Sequence, residues 1–160
     1  MQLPDPLLPI EAQSEEVLHT LAVWTEARGE PPLGQCAVAH NVLNRAKRKH
    51  VSISAAVLKP WAYSGFNLRK KHGSQRDIML RPLEHDKESI WRACWEAARA
   101  ARAGETADPT NGAVVYCTRS LWMRPQEGVK VKWHELPEIA SGRTKKLAVI
   151  GNHVFADTAI

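Results

Sequence analysis

The sequence predicts an α+β domain, with helices first and a small antiparallel sheet at the end of the chain. Three observations predict it. Apolar residues recur with a helical period through about residue 103, and the apolar runs beyond Asp108–Gly112 read as short strands. Gly and Pro separate the segments at Gly29–Pro32, Pro60, Gly104 and Asp108–Gly112. The 160 residues suffice for one domain with a true core, so residues 1–160 are expected to form a single unit.

Ser14 is placed as the N-cap of the first helix, with Glu15 and Glu16 against its positive end. Val17, Leu18, Leu21 and Trp24 form its apolar stripe. Gly29 is expected to supply a left-handed stop, and Pro31-Pro32 to forbid simple continuation. A second helix, Leu33 to Arg48, is expected to bury Leu33, Cys36, Ala37, Ala39, Val42, Leu43 and Ala46. Ser52 caps a short helix, Ile53 to Lys59, which Pro60 ends. Trp61 to Asn67 reads as an aromatic loop, and residues 68–85 as a basic loop with room for one helical turn. A long helix from Asp86 to Ala103 turns Ile90, Trp91, Cys94, Trp95, Ala98 and Ala101 inward and ends at Gly104. Trp91 and Trp95 are read there as core packing. After the turn chemistry of Asp108-Pro109-Thr110-Asn111-Gly112 come three strand candidates. They are Ala113–Cys117, Val129–Trp133, and Leu147–Phe155 interrupted by Gly151-Asn152.

Composition narrows the function. No apolar run approaches the roughly 20 residues of a membrane span, and Met1–Gln13 lacks the basic and apolar regions of a secretory signal. Cys36, Cys94 and Cys117 cannot all pair within one chain and form no CxxC, so buried free thiols are expected, with one disulfide left open. A net charge of +5 favours a polyanionic partner: nucleic acid, anionic membrane or acidic wall polymer.

The sharpest chemical signal is Glu26-Ala27-Arg28-Gly29, followed by Glu30-Pro31-Pro32. Glu26 falls in the last turn of the first helix, roughly opposite Val17, with Ala22 and Val23 one turn back. The negative end of the helix dipole and partly dry walls both disfavour ionisation there. Such a setting makes a general acid for breaking a glycosidic bond. The plain alternative is a solvated glutamate at a helix end, and the tetrad alone does not exclude it.

Four segments extend the signal: Trp24-Thr25-Glu26-Ala27-Arg28-Gly29-Glu30-Pro31 with Gly34-Gln35-Cys36-Ala37-Val38-Ala39; Val42-Leu43-Asn44-Arg45; Asp108-Pro109-Thr110-Asn111-Gly112-Ala113 running into Val115-Tyr116; and Ile150-Gly151-Asn152-His153-Val154-Phe155. In order and spacing they resemble the spore-cortex-lytic type of cell wall hydrolase, a family also found in phage lysis genes, across about residues 17–156. The resemblance implies a lysozyme-like fold, with a mainly helical lobe, a small antiparallel sheet lobe and a cleft between them. It also implies cleavage between N-acetylmuramic acid and N-acetylglucosamine in peptidoglycan, as a lytic transglycosylase with Glu26 at the catalytic glutamate's position. The chain departs from the family in two places. Phe66-Asn67 stands where members often carry Phe-Ser, and the basic stretch Leu68–Asp86 is longer than usual.

A hydrolysing glycosidase usually needs a second carboxylate, whereas a transglycosylase uses the muramic acid C6 hydroxyl intramolecularly. Glu30 and Asp108 are the nearest motif acids that could turn the reaction to hydrolysis; Glu30 is read instead as bonding backbone donors near the Pro-Pro turn. Among binding candidates, Phe66 and Asn67 offer an apolar sugar face and an amide. Tyr116 either reaches an N-acetyl group or the oxocarbenium-like charge, or packs in the core. Asn152 and His153 either tie a strand bend together or hydrogen-bond Glu26 or the sugar. Asn44 and Arg45 are assigned to the helix end and inter-lobe contacts.

Two rival readings are weaker. A zinc amidase has only Cys36 and His40, four apart on one helix, as a half-site, without His-Glu-x-x-His. A nucleic-acid binder has only Arg45-Ala46-Lys47-Arg48-Lys49-His50, which reads as a dipole-compensating helix terminus. A muramidase-type hydrolase on the same bond stays open. The expected partner is therefore the glycan strand of peptidoglycan, with no specific nucleic acid, membrane span, cofactor or metal. The expected setting is a monomeric phage endolysin, held in the host cytoplasm until a membrane lesion admits it to the periplasm and wall. A bacterial enzyme with a lost leader is the alternative.

Overall fold

The computed structural model describes residues 1–123 and 144–158. Helix α1 (Glu15–Ala27) is capped by Ser14, whose hydroxyl accepts the Val17 amide. It is buried on nearly every side, because α2 (Pro32–Lys49), α3 (Ile53–Leu58) and α5 (Glu88–Arg102) all pack around it. The expected stripe is thus only part of a central helix. Its end also differs from expectation. Arg28 caps it in right-handed geometry, and Gly29 is not among the residues with positive φ. The two prolines explain this: Pro31 is the N-cap and Pro32 the first residue of α2, so their fixed φ starts the next helix where a glycine stop was expected.

Helix α2 buries Ala37, Val38, Ala39, Val42 and Ala46, but Leu33 is exposed and Cys36 and Leu43 are half-buried. Its inward face is rotated from the purely apolar choice because it also carries Asn41, Asn44 and Arg45 to polar partners. Ser52 caps α3 by accepting the Ala55 amide. The stretch expected as a loop with one helical turn holds α4 (Arg76–Met79) and 3-10 turns at Lys70–His72 and Pro82–Glu84. Helix α5 stops as expected, with Gly104 at φ +70°. Trp91 from α5 meets Trp24 from α1 edge to face, centroids 6.5 Å apart, both fully buried. All three cysteines are free.

The sheet is antiparallel in the order β1-β3-β2, formed by β1 (Val115–Thr118), β2 (Lys145–Ile150) and β3 (His153–Asp157), with α6 (Arg119–Met123) following β1. The single interrupted strand expected over Leu147–Phe155 is a tight hairpin instead, reversed at Gly151 (φ +56°) and Asn152. The candidate Val129–Trp133 lies outside the described residues.

Helix α2 holds the sheet to the helices. Asn41 and Asn44 donate to the Ala113 carbonyl, Arg45 donates to the Val114 carbonyl, and Asn44 also donates to Asp108 and Thr110. Asn44 and Arg45 therefore make the inter-lobe contacts expected of them.

His19 locks α1, α2 and α5 together in the interior. An arginine can only donate, so Arg102 Nη1 donates to His19 Nδ1 at 3.1 Å, and Nε2–H donates to the Ala39 carbonyl at 3.0 Å. Burial pushes the ring down to about 3, against the pull of the Ala39 carbonyl. An unfolded histidine binds its proton near 6.5. The folded state therefore resists protonation, and its stability falls as pH drops from about 6.5 towards 3, by on the order of 1 kcal/mol per unit. His19→Gln, which can still donate to Ala39, should flatten the pH dependence of the thermal midpoint in that window. An equally steep slope in the variant would assign it to other groups.

Candidate active site

Glu26, half-buried at the end of α1, is held by donors from two distant segments. Its Oε1 accepts the Ser64 hydroxyl and the Gly65 amide, each at 3.0 Å. Its Oε2 accepts the Tyr116 hydroxyl at 2.8 Å. The carboxylate thus sits where the helix end, the Tyr63–Asn67 loop and strand β1 converge. Two of its three donors are hydroxyls, which can rotate and accept when the carboxyl carries a proton.

The loop reaches Glu26 because Gly65 has no side chain. A Cβ at Gly65 would lie 2.5 Å from Thr25 Cβ. Gln75 fixes the far side, its amide donating to the Thr25 carbonyl while its own oxygen takes Arg28 Nη1 at 2.6 Å; the Gly65 carbonyl in turn accepts the Gln75 amide. Arg28 also pairs with Asp86 at 3.2 Å and lies 4.5 Å over the Trp24 ring. The arginine of the tetrad is therefore structural: it ties residues 75–86 to the end of α1.

Tyr116 stands in an aromatic wall. Its ring lies 5.1 Å from His153 at 84°, 5.4 Å from Phe155 and 6.4 Å from Tyr63. Burial first, and then the Glu26 carboxylate, push its phenol well above the ordinary range, so it remains a hydrogen-bond donor. Tyr63, raised chiefly by burial, donates to Asn41. His153 is buried, and its Nδ1 has no partner among the described residues. Burial holds this ring below the ordinary histidine range, against the Glu30 and Glu26 carboxylates.

The other motif acids are engaged elsewhere. Asp108 accepts the Thr110 amide and hydroxyl, the Gly112 amide and the Asn44 amide group. Burial alone would raise its carboxyl, but these hydrogen bonds outweigh it and hold it below the usual range. Glu30 bonds a backbone donor as expected, although the donor is the Asn152 amide in the β2–β3 hairpin, not one near the prolines. That contact needs bare glycine: a Cβ at Gly151 would fall 2.0 Å from Glu30 Oε2.

Of the sequence candidates, Glu26 and Tyr116 are brought into direct contact, with His153 against Tyr116. Asn152 has an exposed side chain, and its backbone does the work, donating to Glu30 and accepting the Arg119 amide. Phe66 and Asn67 are buried at the end of the loop that bonds Glu26, and both line a neighbouring groove. The residues that touch Glu26 from this loop are Ser64 and Gly65, which the sequence reading passed over. A glycine beside a hydroxyl inside an aromatic loop was the available signal. Among the described residues no three His, Cys, Asp or Glu gather as metal ligands, and His40 shares its Nε2 hydrogen bond with Thr106.

Gly65→Ala should displace the loop and withdraw two donors from Glu26. Overpacking against Thr25 costs about 1–3 kcal/mol, so a lower thermal midpoint should accompany a loss of activity larger than the stability change explains. A variant with unchanged midpoint and activity would remove the loop from the site.

A family profile described as Cell Wall Hydrolase matches residues 29–156, beginning just after Glu26. Spore cortex-lytic enzymes of Bacillus cereus are 30% identical over 125 residues, which is 72% of this chain and 41% of their own length. The chain thus spans less than half of the curated relatives it matches. The catalytic domain of the germination-specific lytic transglycosylase SleB from Bacillus anthracis is similar in structure, with a TM-score of 0.59 at 24% identity, covering 89% of this chain and 93% of that one. The catalytic domain of the Bacillus cereus SleB protein gives 0.55 at 24% identity, covering 89% of each. The mixed helical fold with a three-stranded antiparallel sheet, expected as lysozyme-like, is shared with these domains.

Proposed function

The chain belongs to the cell wall hydrolase family, and on that premise we propose that it cleaves the bond between N-acetylmuramic acid and N-acetylglucosamine as a lytic transglycosylase, with Glu26 as the one catalytic carboxyl group. The observation that carries this reading is the setting of Glu26: a half-buried carboxyl whose two oxygens meet two reversible hydroxyl donors and one amide. Asp108 is consumed by its turn, and Glu30 by the hairpin. Among the motif acids of the described residues Glu26 alone is held by two hydroxyl donors, which suits a reaction that needs no second carboxylate.

Protonated Glu26 donates its proton to the glycosidic oxygen as that bond breaks. Tyr116 and Ser64 then stabilise the carboxylate left behind by donating to it. The carboxylate next accepts the proton of the muramic acid C6 hydroxyl, whose oxygen closes on the anomeric carbon to give a 1,6-anhydro end. Intramolecular delivery is worth an effective concentration of about 10⁵–10⁸ M, which replaces the base-activated water of a hydrolase. Tyr116 and His153 would face the sugar beside the reacting bond, with Phe66, Asn67 and Asn152 as further contacts.

Glu26→Gln keeps shape and hydrogen bonding but loses the proton, so lysis of purified sacculi should fall by about 10²–10⁴-fold with the circular dichroism unchanged. A folded variant keeping more than about a third of the activity would take Glu26 out of the mechanism. Mass spectrometry of the wild-type digest should show anhydro ends. Reducing ends would make the enzyme a hydrolase, with Glu30 as the candidate base. Free stem peptides would mean an amidase instead.

For its setting, we infer an endolysin-type enzyme that acts as a monomer on the wall once a membrane lesion lets it through. Its +5 charge favours the carboxylate-bearing polymer. Gram-negative cells expressing it should lyse only when their membrane is permeabilised. Lysis of intact cells, traced to protein in the periplasm, would point to export instead.

A further inference from the structure

Beside the loop that bonds Glu26 lies a groove of about 490 Å³ with an unusual rim. Leu58, Pro60 and Phe66 form its apolar floor, and Trp61, Leu68 and Arg69 stand at its edge. Trp61 is 65% exposed and Leu68 83%. A bulky side chain at φ +67° is held by backbone geometry that side chains of its size avoid. Such a cost, incurred at a side chain that stays largely exposed, points to a surface used in binding.

The groove adjoins the loop that bonds Glu26, since Phe66 and Asn67, which line it, directly follow Gly65. Trp61 is three residues from Ser64, which bonds Glu26, so their backbones are at most about 11 Å apart. Its charge is also sorted. Arg76 is engaged by Glu11 and the Phe66 carbonyl, which leaves Arg69 as the groove's unpaired guanidinium among the described residues.

Resting on the peptidoglycan reading, we propose that this groove binds a muramyl-peptide unit of the strand being cut, beyond the scissile bond. A pyranose ring has a flat apolar face that covers an indole. The stem peptide hanging from that ring carries carboxylates, which a planar guanidinium recognises through paired hydrogen bonds. Trp61 therefore reads the sugar, and Arg69 the stem.

The test measures binding of soluble glycan strands to the Glu26→Gln protein, so that no cleavage intervenes. Strands with intact stems are compared with the same strands after their stem carboxyl groups have been converted to amides. Adding Trp61→Asn, which tolerates left-handed backbone, should weaken both ligands by roughly three- to tenfold. Trp61→Tyr should recover most of the affinity. Adding Arg69→Glu should weaken only the strands whose stem carboxylates are free. Unchanged binding in Trp61→Asn, or equal loss on both ligands in Arg69→Glu, overturns the proposal. Failure of wild-type protein to release any glycan product would instead sink the reading on which it rests, and the binding measurement would show this separately.

Discussion

One polar face of α2 decides where everything else in the site can be. Asn41, Asn44 and Arg45 bind the carbonyls that lead into β1, and Asn44 also grips Asp108 in the preceding turn. Strand β1 is thereby registered against the helices by polar bonds, alongside the apolar packing of Ala113, Ile150 and Phe155. Tyr116 follows two residues after Val114, and its hydroxyl can meet Glu26 at 2.8 Å only while that register holds. Loss of such buried hydrogen bonds costs about 1–3 kcal/mol for each group left unsatisfied, and here each also sets the position of a strand.

Glycines perform the complementary task of letting segments approach. Gly65 brings a backbone amide onto Glu26, and Gly151 brings the hairpin onto Glu30. In each case a single methyl group would collide with a neighbouring side chain. Glu30 therefore works as a strut between the helix turn and the sheet, in line with its bond to the Asn152 amide. Arg28 does the same on the opposite flank, bonding Gln75 and pairing with Asp86. Three charged residues that adjoin in sequence thus have three different tasks: Glu26 faces the site, Arg28 anchors the segment after the loop, and Glu30 anchors the hairpin.

This division of labour has a chemical consequence. Acid catalysis needs a carboxyl group that can hold a proton without losing its position, and hydroxyl partners allow both states without moving heavy atoms. Tyr116 is suited to it because its raised phenol keeps its own proton. The rings of Tyr63, His153 and Phe155 pack around Tyr116 and hold its phenol in place.

Local rules in the sequence determined the helix starts at Ser14 and Ser52, the stop at Gly104, the apolar cores of α1 and α5, and the turn at Asp108–Gly112. Each depends on residues within a turn or two, so spacing alone reveals it. The place of Glu26 in the last turn of α1 was legible for the same reason, and the polar roles of Asn44 and Arg45 could be inferred from their place at a helix end. Tertiary structure decided the rest. Whether Gly29 turns left-handed depended on how Pro31 and Pro32 enter the next helix, and the place of β3 between β1 and β2 depended on pairing with a strand more than 30 residues earlier. That Ser64 and Gly65 would touch Glu26 depended on contacts 38 and 39 residues away. No periodicity encodes such a contact, because it arises from how packed helices bring remote loops together.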